Sequence, residues 1–166
     1  LPRTASAGRV HLLVDAGWMT AWDDPAHRFG AATTSDRDVR LQQQAFWGAT
    51  PDPLCAQTDP ADCLFATTWY RTVTQGYGLP VFVQQSSIDS VFLVAHGLDP
   101  ADPDDFDAIT RWHDEVEASL AEVQWLFSGT EPYHTLAANN ATYTFGPAHD
   151  TLRDALGAFW VGAPPE

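Results

Sequence analysis

The chain has 166 residues, a length typical of one domain, and 45% of them are hydrophobic, which excludes a disordered or low-complexity protein. No apolar run reaches the ~20 residues that a membrane-spanning helix needs, so no membrane span is expected. A formal net charge of −14, from 22 acidic and eight basic residues, repels phosphate backbones and argues against a nucleic-acid partner.

The first predicted strand is the apolar run at residues 10–14, which Asp15 and Gly17 end. Such a continuous run is typical of a strand buried on both faces of a parallel sheet. Residues 18–34 have no clear period and predict a loop. A helix is predicted from a cap at Ser35 to Gly48. Its inward-facing residues are expected to be Val39, Ala45 and Phe46.

Two further strands are predicted at residues 79–84 and 123–127. Apolar residues at helical spacing predict helices at 64–73 and 91–97. Two more helices are predicted to begin after caps at Asp102 and Asp150, and the Asp102 helix has a long apolar stripe along one face. The residues of that stripe are Phe106, Ile109, Trp112, Val116 and Leu120. This alternation predicts a single α/β domain over residues 1–166, with a mostly parallel sheet flanked by helices. Three strands are few for such a fold, so part of the sheet is expected outside this chain.

Cys55 and Cys63 flank a short polar loop. No second cysteine pair and no nearby histidine completes a zinc set. A local disulfide is therefore predicted, which indicates an oxidising, secreted or periplasmic location; two unpaired thiols are the alternative. Residues 1–8 lack the apolar core of a signal peptide, so either the signal was removed or the gene product begins earlier.

Polar residues that could carry chemistry follow each predicted strand: Asp15, Asp89 and His134. Functional residues of parallel sheets collect at these carboxyl ends. Asp and then His is the order of the last two triad members in α/β hydrolases, where the carboxylate orients the imidazole that moves the proton. The alternatives are that Asp89 only caps the next helix and that His134 is a plain loop residue.

A nucleophile for such a triad is missing from the sequence. Ser6 lies in a Thr-Ala-Ser-Ala-Gly segment with no preceding strand, so it does not fit the strand–turn–helix site of a nucleophilic serine. Ser86 and Ser87 lack that turn too. No Gly-rich oxyanion segment is found either.

Several short motifs, in order and spacing, resemble the C-terminal half of the pectin acetylesterase family, which includes the Notum-type carboxylesterases. They are Val-His-Leu-Leu-Val-Asp-Ala-Gly-Trp ending at Trp18, Phe46-Trp47-Gly48, the Cys55/Cys63 pair, the strand leading to Asp89, Tyr133-His134-Thr135, and the segment from Thr151 to Gly162. The resemblance implies an α/β-hydrolase fold and a serine carboxylesterase without cofactor or metal. Asp89 would orient His134, and the nucleophilic serine and the oxyanion hole would come from an N-terminal segment or separate chain.

The substrate implied is an acyl or acetyl ester of a small molecule or polysaccharide, although the acidic surface disfavours a polyanion such as pectin. Trp18 and Trp22 follow the first strand and are candidates for stacking on substrate at the active-site rim, with core packing as the alternative for Trp18. Core packing is predicted for Trp47, Trp69, Trp112 and Trp160, and a surface position for His96 and His113.

Two rival functions fit the same residues. The first is a non-catalytic carbohydrate-binding relative, with exposed tryptophans as the binding surface. The second is a metal hydrolase that uses Asp15, Asp89 and His134. The acidic stretch at residues 99–107 does not fit an EF-hand calcium loop, because prolines interrupt the ligand spacing.

Overall fold

The computed structural model describes residues 10–15, 17–20, 22–31, 34–57, 60–129 and 152–162. Its three strands form one parallel sheet in the order β1-β2-β3. The strands are β1 (Leu12–Asp15), β2 (Val81–Ser86) and β3 (Trp125–Gly129). The three predicted strands are confirmed, although each begins two residues late, at 12, 81 and 125 instead of 10, 79 and 123.

Local backbone chemistry explains two of these late starts. Pro80 has no N–H to give to a ladder, so regular pairing of β2 begins after it. The N–H of Val123 donates to the carbonyl of Leu120 at 2.9 Å, which closes the turn before β3.

Five α-helices lie in the described part of the chain: α1 (Asp36–Trp47), α2 (Ala66–Arg71), α3 (Ser90–Ala95), α4 (Phe106–Leu120) and α5 (Leu152–Val161). A π-helical turn at Thr72–Gly76 extends α2. Single helical turns lie at Phe29–Ala31, Cys55–Gln57, Asp62–Leu64 and Pro103–Asp105. None of these described helices is long and apolar enough to cross a membrane.

β2 is the central strand, and all six of its residues are buried. Val81 and Val83 belong to the larger core cluster, which includes Trp112 of α4. Phe82 points to the opposite face, because side chains alternate along a strand, and packs with Phe127 and α5. The sheet therefore has helices on both faces, which confirms the predicted α/β class.

β1 is more exposed than its sequence predicts. Leu13 is 51% exposed and Val10, just before the strand, is 55% exposed. β1 pairs with β2 on one side and is the edge of the described sheet on the other. The expectation that β1 is buried on both faces is therefore wrong for the described part of the chain.

The caps of α1 are as predicted, but its inward face is not. The hydroxyl of Ser35 accepts a hydrogen bond from the N–H of Asp38, and Gly48 ends the helix at φ 62°. Phe46 and Trp47, however, are 80% and 77% exposed. Asp36 is the buried residue of α1, so the helix contacts the core through its first turn and its last turn extends into solvent.

Of the other aromatic residues predicted to be buried, some are in the core and some are exposed. Trp112 is buried and Trp69 packs against the core, as predicted. Trp160, near the end of α5, and Phe106, at the start of α4, are exposed instead. Both lie in the first or last turn of a helix, where fewer neighbouring elements are available to cover them.

The predicted disulfide between Cys55 and Cys63 is present. A bond across so short a loop restricts the unfolded chain, which stabilises the fold by about 2–3 kcal/mol. We expect the double variant Cys55→Ala/Cys63→Ala to lose about that much free energy of unfolding in a urea titration. Reductant should lower the stability of the wild type to the same level and leave the variant unchanged. Equal stability of the two proteins without reductant would contradict the expectation.

Candidate active site

The carboxyl ends of the three parallel strands lie at one edge of the sheet, and the candidate site is built there. Asp15 is the last residue of β1, and Asp89 follows the end of β2 by three residues. His134 lies outside the described residues, so its role and its distance from Asp89 remain predictions.

Asp89 is buried and acts as the N-cap of α3. Its Oδ1 accepts hydrogen bonds from the N–H groups of Val91, at 2.8 Å, and Phe92, at 3.0 Å. Its Oδ2 lies 3.5 Å from Nε2 of Gln85. The helix cap that was predicted as the alternative role of Asp89 is therefore present, and it uses Oδ1 of the carboxylate.

Two glutamines of β2 support this edge, and the sequence analysis missed both. Oε1 of Gln85 accepts from the N–H of Trp18 at 3.0 Å, and its Nε2 donates to the carbonyl of Ser86 at 2.8 Å. Nε2 of Gln84 donates to Oδ1 of Asp15 at 3.1 Å. The sequence feature that could have indicated them is a pair of amide side chains in an otherwise apolar strand, because a buried polar group needs a hydrogen-bond partner.

Ser86 and Ser87 are fully buried. The hydroxyl of Ser86 accepts from the N–H of Ile88 at 3.1 Å, which stabilises the turn that leads to Asp89. This geometry agrees with the expectation that neither serine has the exposed turn of a nucleophile.

The structure places Trp18 and Trp22 in the core, where neither ring is open for a sugar to stack on. Trp18 is 3% exposed and donates through Nε1 to Ser119 at 2.8 Å. Trp22 packs edge-on against Phe92 and His96. In the described residues these tryptophans pack between the loop after β1 and helices α3 and α4, and a role in contacting substrate remains a prediction.

His96, predicted to lie on the surface, is 3% exposed. Its Nε2 lies 2.8 Å from Oδ2 of Asp36, and its Nδ1 lies 2.8 Å from the carbonyl of Phe92. Oδ1 of Asp36 accepts from the N–H of Phe29 at 3.2 Å. Because the partners are 60 residues apart, no local pattern indicates this buried contact.

The pKa of Asp36 predicts a loss of stability in acid. Burial raises this pKa, but the hydrogen bonds from His96 and Phe29 outweigh burial and hold it below the ordinary value of 3.8. The ionised carboxylate therefore stabilises the fold above pH 3.8, and this contribution is lost as the pH falls through the folded-state pKa. We expect the free energy of unfolding to fall more steeply in the wild type than in Asp36→Asn between about pH 5 and pH 1. Parallel curves from denaturant titrations would contradict this.

Two cavities open near the strand ends. One, of about 260 Å³, is lined by Val14, Trp18, Phe65 and Trp69, beside the disulfide. The other, of about 100 Å³, lies against Asp89, Phe92 and His96. Among the described residues, no group of three or more His, Cys, Asp or Glu side chains could hold a metal ion.

Comparison with known proteins finds solved structures of similar fold. No protein-family profile and no curated protein sequence matches the chain. Two crystal forms of the Wnt deacylase Notum from Drosophila match with a TM-score of 0.79 and 18% sequence identity. The match covers 93% of this chain but 43% and 44% of the two Notum chains. The chain therefore has the α/β-hydrolase fold of Notum, as the resemblance to its family predicted, and spans less than half of that protein's length.

Proposed function

We propose that this chain is part of a serine carboxylesterase that hydrolyses an acyl or acetyl ester through an acyl-enzyme. Asp89 is the acid of the triad and His134 is the base. The nucleophilic serine and the oxyanion hole come from an N-terminal part, and the two parts together are called the complete esterase below. The observation that carries the proposal is a buried carboxylate after the central strand of a Notum-type sheet.

The geometry of Asp89 suits this role. Two backbone N–H groups hold Oδ1, so Oδ2 is the oxygen through which Asp89 would orient the imidazole of His134. A fixed carboxylate keeps the imidazole in the tautomer that accepts the serine proton, and it stabilises the imidazolium that forms. The imidazole then returns the proton to the leaving alcohol, and water hydrolyses the acyl-enzyme by the same route.

The N-terminal part docks, in this proposal, at the β1 edge. Leu13 and Val10 expose apolar side chains there, and the Notum chains are more than twice as long as the region matched. A strand added beside β1 would pack against these side chains and bring a further strand end to the edge of the sheet where Asp15 and Asp89 lie. The apolar cavity of about 260 Å³ beside Trp69 would then border the site and accept the acyl group. The disulfide supports a location outside the cytoplasm.

A fluorophosphonate probe tests the proposal. The complete gene product, purified and denatured after labelling, should carry the probe on a serine in a peptide outside this chain. The Asp89→Asn variant of the same protein should label at least 100-fold more slowly, because the base, His134, loses the carboxylate that orients it. Absence of label, or label on Ser86 or Ser87, would overturn the proposal.

Carbohydrate binding without catalysis is a second candidate, and one pocket favours it. A pocket of about 500 Å³ at the opposite end of the sheet is lined by aromatic, amide and carboxylate side chains, including Tyr70, Gln75, Glu122, Gln124 and Trp125. Calorimetric titration with neutral oligosaccharides distinguishes the two candidates. Binding that survives His134→Ala, in a protein that no fluorophosphonate labels, would favour this one.

A further inference from the structure

Ionisable side chains hold both ends of the short helix α3. Asp89 caps its N-terminus through the N–H groups of Val91 and Phe92. His96 caps its C-terminus, with Nδ1 2.8 Å from the carbonyl of Phe92. A helix of six residues is too short to be stable alone, so its position depends on contacts with other elements.

His96 connects the far end of α3 to α1. Its Nε2 lies 2.8 Å from Oδ2 of Asp36, and its Nδ1 faces a carbonyl oxygen. Both ring nitrogens therefore face acceptors, Nε2 the carboxylate of Asp36 and Nδ1 the carbonyl of Phe92, and a ring that donates to both carries a proton on each nitrogen. The pKa of Asp36 is held low, which favours its ionised form. The contact is a buried His–Asp pair that joins α3 to α1.

Aromatic rings fix the imidazole between the elements. It stacks on Phe92 with ring centroids 3.8 Å apart, and Phe92 stacks on Trp112 of α4 at 4.0 Å. The cavity of about 100 Å³ lies against the same helix, beside Asp89. The cavity leaves room beside α3 on that side, so the hydrogen bonds at its two ends help to fix its position.

We propose that Asp36 and His96 are positioning residues for Asp89. The pair anchors the last turn of α3 to α1, and α3 carries Asp89 at its first turn. Loss of the pair would let the helix shift toward the cavity and move the carboxylate away from its place at the strand ends. The catalytic consequence rests on the proposed function of Asp89, whereas the anchoring of α3 does not.

Amide hydrogen exchange in the complete gene product, followed by NMR, tests the anchoring without any enzyme assay. In His96→Gln and Asp36→Asn, the amides of Val91 and Phe92 should exchange at least 10-fold faster relative to the amide of Val83 in β2. Leu152→Ala is the matched control, because Leu152 is fully buried in the cluster on the other face of the sheet. It should change the exchange rates of all three amides by one common factor. If both pair variants also change the exchange rates of the three amides by one common factor, the proposal is overturned. Either variant alone is sufficient for the test if the other does not fold.

Kinetics of the complete esterase test the catalytic consequence. Both pair variants should lower kcat at least 10-fold with KM unchanged, whereas Leu152→Ala, assayed below its unfolding transition, should keep the kcat of the wild type. Unchanged kcat in the pair variants would overturn a positioning role. A wild-type enzyme without activity would instead overturn the proposed function, and the exchange data would still decide whether the pair anchors α3.

Discussion

Replacing Asp89 by Asn is expected to lower the kcat of the complete esterase by about 10⁴-fold and to leave the fold intact. Asn and Asp are equally good N-caps, so the N–H groups of Val91 and Phe92 keep an acceptor at the start of α3. The variant therefore removes the charge and retains the cap. Without the carboxylate, the imidazole of His134 would take the wrong tautomer and its imidazolium would lose its counter-charge.

The matched control separates catalysis from capping. Asp89→Ala removes both charge and cap, so it should lose kcat to the same extent and also lose about 1 kcal/mol of stability. The measurements are kcat with an aryl acetate and the free energy of unfolding in urea. If Asp89→Asn keeps the kcat of the wild type, Asp89 is only a helix cap, and the triad assigned here is wrong.

The helix cap that Asp89 forms and the triad role proposed for it explain why the sequence could indicate its position but not its function. A buried apolar strand followed by a turn predicts where a polar residue will meet the sheet edge, because both features are local. A cap and a triad acid both place an Asp at the start of a helix after a strand. Only the contacts of the second oxygen, and the place of His134, distinguish them.

Residues whose environment depends on distant parts of the chain were the least predictable. His96 reads as a polar residue at a helix end, yet its partner Asp36 is 60 residues away and both are buried. Trp18 follows a strand end and is covered by α4, whose Ser119 is 101 residues away. Periodicity carries no information about such pairs.

The opposite error occurred at edges of the described structure. Leu13 and Phe46 have apolar side chains that predict burial, and both are exposed. Hydrophobicity predicts that a residue is covered, but it does not say which element covers it. For Leu13 we attribute the cover to the N-terminal part of the complete esterase. For Phe46 the described part of the structure indicates no element that would cover its side chain.

The energetic effect of burial can be tested by comparing a buried tryptophan with an exposed one, because tryptophan has the largest side chain. Trp112 is 1% exposed in the larger core cluster, and its ring stacks on Phe92. Trp112→Ala should therefore lower the free energy of unfolding by about 3–5 kcal/mol, through lost burial and the cavity left behind. Trp47→Ala is the control, because Trp47 is mostly exposed, and its change should stay within about 0.5 kcal/mol.

Both variants are measured by urea unfolding, with the circular dichroism of the helices as the signal. Most of a domain's stability of about 5–15 kcal/mol could be lost in Trp112→Ala, so a folded baseline at low urea must be verified first. A small effect of Trp112→Ala would mean that the cluster beneath α3 and α4 is loosely packed. The stacked rings could then not hold His96, and the anchoring of α3 would depend on the hydrogen-bond contact with Asp36 alone.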